Sequence, residues 1–123
     1  MFYKSEYVLQ ASTEGIRNNR RGCFRVGISV YANCRKSGQG TRRVLIRDIS
    51  LSGFAITDNA KELNFAIGDE ISISFEDIGY SIDLRGNVVR IEEQESRIIY
   101  GVEICNLCRD LSSYINVKQR QKR

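Results

Sequence analysis

Between Phe24 and Ile104, apolar side chains return at every second position in short runs, and turns containing Gly and Asp separate the runs. Phe24, Val26, Ile28, Val30 and Ala32 form the first run, and Val44 with Ile46 the second. Phe54-Ala55-Ile56-Thr57 follows, then Ile71, Ile73 and Phe75, then Ile82, Leu84, Val88 and Ile91, and finally the stretch from Ile98 to Ile104. A repeat of two places successive side chains on opposite faces, so these segments are predicted to be half-buried strands. Ser37-Gly38-Gln39-Gly40 predicts a hairpin connection, Asp77-Ile78-Gly79-Tyr80 a turn, and Glu92 to Arg97 a charged connection. Asn59 to Asn64 reads as a loop or short helical turn, Ile67-Gly68-Asp69 introduces a strand, and Gly86 is expected to bend or bulge the strand that carries it. Strands at this spacing predict an antiparallel barrel or a sandwich, and periodicity alone does not choose between them.

From Arg109 the period lengthens. Leu111, Tyr114, Ile115 and Lys118 fall at helical spacing, with Asp110 or Ser112 as the N-cap. The apolar stripe is expected to pack on the strands and to leave Lys118 to Arg123 in solvent. Residues 1–19 lack sustained periodicity and read as a flexible polar arm. The organisation expected is thus an arm over 1–19, a β-rich body over 20–108, and a helix with a basic tail over 109–123. A chain of 123 residues suits one such domain. No apolar run approaches a membrane span and Met1 to Gln10 lacks a hydrophobic stretch, so no transmembrane segment or signal peptide is expected and a cytoplasmic location is.

The net charge of +4 is unevenly placed. Arg17, Arg20, Arg21 and Arg25 cluster before the first strand, and Lys118, Arg120, Lys122 and Arg123 cluster at the end; the remaining 11 basic residues face all 15 acidic ones. The middle of the chain is therefore net negative. Of the four cysteines, Cys105-Asn106-Leu107-Cys108 has C-x-x-C spacing, but Cys23 and Cys34 are not a second close pair and the chain has no His to complete a zinc site. Reduced thiols are the expectation, and no metal or cofactor is expected.

Two short strings carry chemistry: Arg20-Arg21-Gly22-Cys23-Phe24-Arg25, and Asp48-Ile49-Ser50-Leu51-Ser52-Gly53. Arg presents a planar fork of donors that matches phosphate oxygens and also the acceptor edge of guanine, while Asp accepts from guanine's donor edge. Lys would keep the charge and lose the fork. Asp48 and Ser50 are two apart and are expected on one face. Gly53 allows a sharp bend and a close approach of the backbone to a ligand. Arg20 is placed to stack on a guanine.

The order R-x-x-x-R (Arg21, Arg25) and D-x-S-x-x-G (Asp48, Ser50, Gly53) resembles the PilZ family of cyclic di-GMP receptors. Gly86-Asn87-Val88-Val89-Arg90 and Tyr100-Gly101-Val102-Glu103-Ile104 look like its later strands, and Tyr114-Ile115-Asn116 with Gln119-Arg120 like its C-terminal helix. The resemblance implies a six-stranded antiparallel β-barrel plus a C-terminal α-helix. It implies cyclic di-GMP as ligand, bound by Arg20, Arg21, Arg25, Asp48, Ser50 and Gly53, with Asp48 reading guanine. A basic residue at Arg20 implies two intercalated ligand molecules. It further implies an adaptor that changes conformation and regulates a protein partner, in motility, exopolysaccharide synthesis or a related output.

Two other classes compete. A small barrel binding RNA or single-stranded DNA needs a continuous positive groove with exposed aromatics. Here the strands are net acidic and most aromatics fall on core-facing phases, so no DNA partner is expected. An enzyme is not expected either: there is no His, no phosphate loop and no nucleophile motif, and Glu92, Glu93 and Glu95 lie in a charged connection.

Overall fold

The computed structural model describes residues 25–121. Six strands run in chain order as β1 (Val26–Lys36), β2 (Arg42–Ile49), β3 (Gly53–Asp58), β4 (Glu70–Asp77), β5 (Tyr80–Glu93) and β6 (Ile98–Ile104), followed by helix α1 (Leu111–Gln121). Every pairing is antiparallel, and the sheet closes in the order β1–β2–β3–β6–β5–β4. Closure is what separates a barrel from a sandwich. β1 pairs with β2 along one side and with β4 on the other, where Asn33 meets Ser74 and Lys36 meets Ile71.

The inward phases are those read from the alternation. Val26, Ile28, Ala32, Cys34, Val44, Ile46, Ile71, Ile73, Phe75, Ile82, Leu84 and Val88 all join one core with Phe54, Ile56, Tyr100 and Val102. Each such large side chain contributes about 1.5–3 kcal/mol when fully removed from water. Burial pushes the Cys34 thiol from its ordinary 9.0 up to about 12, consistent with a small buried hydrophobe. Phe24, expected in the first run, lies outside the described residues, as do the arm and Arg20 and Arg21.

Two expectations change here. The bulge of β5 is not at Gly86: Val88 pairs with Val102 and Arg90 with Gly101, so Val89 is the extra residue, and Val89 and Ile91 are both exposed. Gly86 is instead a close-approach glycine, since a Cβ there would collide with the carbonyl oxygen of Glu103 and the side chain of Val102. Lys118 does not project into solvent. Its Nζ lies 3.1 Å from Asp77 Oδ2, the same oxygen that accepts the hydroxyl of fully buried Tyr114 at 2.8 Å. A long aliphatic stem can lie along apolar surface while its ammonium reaches a fixed carboxylate.

α1 docks through Leu111, Tyr114 and Ile115 as the spacing predicts. The Tyr114 ring meets Phe75 and Tyr80 edge-on, with centroids 5.5 and 5.9 Å away. Asp110 takes the N-cap position, its carbonyl accepting the N–H of Tyr114 at 2.9 Å. The 59–64 connection is a loop held by buried Asp58, whose carboxylate accepts the N–H groups of Glu62 and Leu63.

Candidate functional site

Asp48 is turned outward by a bulge. Val44 and Ile46 face the core, and on that phase Asp48 would be buried as well. The β2–β3 register shifts between Ile46, paired with Ile56, and Asp48, paired with Ala55, so Arg47 is an extra residue and the phase beyond it is reversed. Ile49 then points into the core and the Asp48 carboxylate lies 29% exposed. There it meets Arg25, whose Nη1 donates to Oδ1 at 2.6 Å from a side chain 40% exposed. An ion pair this accessible contributes about 0–1 kcal/mol. Its geometry costs little to exchange for a ligand.

Asp48 and Ser50 do not share a face, against the expectation from their spacing. β2 ends at Ile49, and Ser50 is fully buried in the turn that follows. Its Oγ accepts the N–H groups of Ser52 and Gly53, both at 3.2 Å, while its own N–H donates to the Gly53 carbonyl at 2.8 Å. The hydroxyl is thus committed to the turn. Gly53 is required by packing, because a Cβ there would stand 2.5 Å from the Val102 carbonyl oxygen of β6. The turn is tied to β6 again by Ile104, whose N–H donates to the Ser52 carbonyl at 2.8 Å. Leu51, at its tip, is half exposed.

The barrel register assembles these pieces into a row. Gly27 of β1 pairs with Asp48 of β2, Asp48 with Ala55 of β3, Ala55 with Gly101 of β6, and Gly101 with Arg90 of β5. Ala55 is buried yet stands outside the core cluster that holds Phe54 and Ile56, so it belongs to the outer face. Arg90 lies across Gly101, with its Cβ, Nε and Cζ each 3.3 Å from where a Cβ of Gly101 would be. On the outside of the barrel Asp48 thus stands between Gly27 on one side and Ala55 and Gly101 on the other, a low shelf of residues with little or no side chain. Arg25 pairs with Asp48, and Arg90, whose backbone stands three strand spacings or about 14 Å from Asp48, reaches back so that its guanidinium covers Gly101. Register shifts in β1, β2 and β5 all fall next to this row, between Gly27 and Val30, Ile46 and Asp48, and Val88 and Arg90.

Of the residues expected from sequence, the structure brings Arg25 and Asp48 together, places Ser50 and Gly53 in the turn behind them, and leaves Arg20 and Arg21 outside the described residues. Arg90, read from the sequence only as part of a strand, joins this row because it stands opposite Gly101, which only the pairing of β5 with β6 reveals. No cluster of metal-ligating side chains occurs among the described residues.

The model of the PilZ domain matches residues 18–115. Among solved structures, the inhibitor of motility (MotI/DgrA) of Bacillus subtilis superposes with a TM-score of 0.69 at 19% identity, covering 84% of this chain and 51% of that one. The PilZ domain of YcgR from Escherichia coli, solved with c-di-GMP, gives 0.69 at 18% identity, covering 85% and 95%. The PlzA protein of Borreliella burgdorferi, also solved with c-di-GMP, gives 0.58 at 18% identity, covering 77% and 39%. The chain thus spans about half the length of the Bacillus protein, and identities this low show the fold alone. A search of curated proteins returned no significant match.

Proposed function

Because the chain belongs to the PilZ domain family, we propose that it is a receptor for cyclic di-GMP, and that the shelf between Asp48 and Arg90 is where the ligand lies. The observation that carries this reading is the outward-turned Arg25–Asp48 pair within a row of small residues. A purine face lies against Ala55 and Gly101 once the flexible Arg90 side chain swings off Gly101. Asp48 accepts from the ring and amino N–H groups of a guanine, and Arg25, released from the ion pair, turns its fork to phosphate or to the guanine acceptor edge. Arg21 supplies the second fork of the R-x-x-x-R pair. Arg90 supplies a further guanidinium for phosphate or for stacking at the far end. Ser50 and Gly53 act through the turn they hold rather than by direct contact. Arg20 supports a second, intercalated ligand, whose added phosphates need another cation nearby.

The function that follows is binding coupled to a partner. Ligand held between residues 20–25 and the shelf draws the preceding arm against the barrel, and a partner protein reads the change. No step of bond making is assigned to the site.

Isothermal calorimetry tests the reading. Cyclic di-GMP is expected to bind with an endpoint of two, while cyclic di-AMP binds far more weakly, since an adenine edge leaves the Asp48 acceptors unpaired, and GTP more weakly because it brings only one guanine. Equal heats for the guanine and adenine dinucleotides would defeat it. Arg20→Leu is expected to lower the endpoint from two to one.

A further inference from the structure

The strand β6 and helix α1 are joined through Cys105-Asn106-Leu107-Cys108, a motif that takes no part in the shelf. Both ends of this segment are anchored. The N–H of Cys105 donates to the Arg85 carbonyl at 2.8 Å, and the Asn106 side chain accepts the Arg85 N–H at 2.7 Å and donates to the Asp83 carbonyl at 3.3 Å. At the other end, the Cys108 carbonyl accepts the N–H of Leu111, the first residue of α1, at 3.2 Å. Between the anchors the chain bends at Asn106, and Leu107 is fully exposed.

The two thiols are free and unequal. Cys105 is exposed, whereas Cys108 is partly buried against the core. An accessible thiol next to a shielded one is the arrangement in which the first is attacked by, or attacks, an outside disulfide and the second resolves the product. Three Cα–Cα steps measure about 10 Å when extended. The bend at Asn106 takes the segment off the extended line, and a disulfide needs about 4.4–6.8 Å between its Cα atoms.

We propose that Cys105 and Cys108 form a reversible dithiol–disulfide pair at the joint between barrel and helix, oxidised by a low-molecular-weight disulfide of the glutathione class. The Cys105 thiolate attacks one sulfur of that disulfide, its S–S bond breaks, and one glutathione thiolate leaves. The Cys108 thiolate then attacks Cys105 Sγ in the mixed disulfide, the Cys105–Cys108 bond forms, and the second glutathione thiolate leaves. Two electrons pass to the oxidant, and the two protons lost by the protein thiols end on two glutathione thiols. The new bond stiffens the exit of α1 from β6. That exit lies one residue from Ile104, which holds the Ser52 carbonyl of the D-x-S-x-x-G turn. The inference rests on the joint alone and stands whatever ligand the shelf takes.

The test equilibrates the full chain across glutathione buffers from fully reduced to fully oxidised, alkylates free thiols, and reads the tryptic peptide 98–109 by mass spectrometry. It is expected to lose two hydrogens in oxidising buffer, to regain two alkylatable thiols with dithiothreitol, and in Cys108→Ala to stop at a glutathione adduct on Cys105. Amide exchange through residues 109–117 is expected to slow on oxidation. Two alkylated thiols in the fully oxidised buffer, a bridge from either cysteine to Cys23 or Cys34, or a glutathione adduct as the end product in the unmodified chain would overturn the pair. Unchanged exchange in the bridged form would overturn its hold on the joint.

Discussion

Asp48 and Asp77 lie at or next to the end of a strand and each meets a cation, but the barrel uses them in opposite ways. Asp77 Oδ2 receives both the hydroxyl of buried Tyr114 and the ammonium of Lys118, a side chain only 16% exposed, so this carboxylate holds the helix to the barrel. Asp48 meets one partner among the described residues, the more exposed Arg25, and sits beside Ala55 and Gly101, over which lies the flexible Arg90 side chain. The difference teaches where a carboxylate is structural and where it is available. Structural ones are saturated by donors that cannot leave, and the available one is paired with a donor whose departure costs about 0–1 kcal/mol.

The largest expected effect tests the available end. Arg25→Ala should weaken cyclic di-GMP by about 100-fold or more, the upper range for a charged hydrogen bond, while the melting curve by circular dichroism hardly moves. Loss of the folded signal would make Arg25 structural and erase the contrast. The two carboxylates can then be exchanged directly. Asp48→Ala should reduce affinity by roughly 1–3 kcal/mol with stability unchanged, and Asp77→Ala should lower the unfolding free energy in urea by about 1–3 kcal/mol, because a buried hydroxyl loses its acceptor, with affinity unchanged. If both variants lost the same property, the division would be wrong.

Two glycines sharpen the comparison further. Gly53→Ala drives a Cβ into the backbone of Val102 and should destabilise the fold by about 1–3 kcal/mol. Gly101→Ala meets only the flexible Arg90 side chain, at 3.3 Å. Thermal denaturation should therefore register the first and calorimetry the second, with a loss of a few-fold in affinity as Arg90 is displaced from the shelf.

The smallest effect expected is on pH dependence. Burial, then the hydrogen bond and charge of Asp77, raise the Tyr114 hydroxyl above its ordinary 10.0, and burial raises Cys34 to about 12. In both cases the unfolded chain gives up its proton first, so stability is intact below about pH 9 and declines as pH rises through the alkaline range. Asp69 runs the other way. The Ala66 N–H and then Lys36 hold its carboxyl below the ordinary 3.8, so its contribution is present at neutral pH and is lost as pH falls through that lowered value. Asp77→Asn, by removing a charge from beside Tyr114, should leave the onset of the alkaline decline of the urea midpoint in place and make the decline smaller. An unmoved alkaline limb would separate Tyr114 from Asp77.

Much of the fold was legible because alternation is a property of the chain itself. Val26 to Cys34, Ile71 to Phe75 and Ile82 to Val88 each announce an inward face without reference to any partner, and Leu111, Tyr114 and Ile115 do so for the helix. The arginine and aspartate motifs were equally local. Illegible were the consequences of pairing: the closure of β1 on β4, the bulge at Val89 rather than at Gly86, the turn of Lys118 back onto Asp77, and the reversal of phase at Arg47 that exposes Asp48 while Ser50 is buried. Arg90 was read only as part of a strand, because its place opposite Gly101 arises from pairing.

By itself, then, the sequence determined which residues are strand and helix, which side chains seek the core, and where the two motifs of the proposed site lie. The tertiary structure alone decided which of those chemical residues face outward together. The reason is register: a single extra residue in one strand exchanges its two faces, and whether that residue is accommodated depends on hydrogen bonds to strands that are neighbours in space and not in the chain.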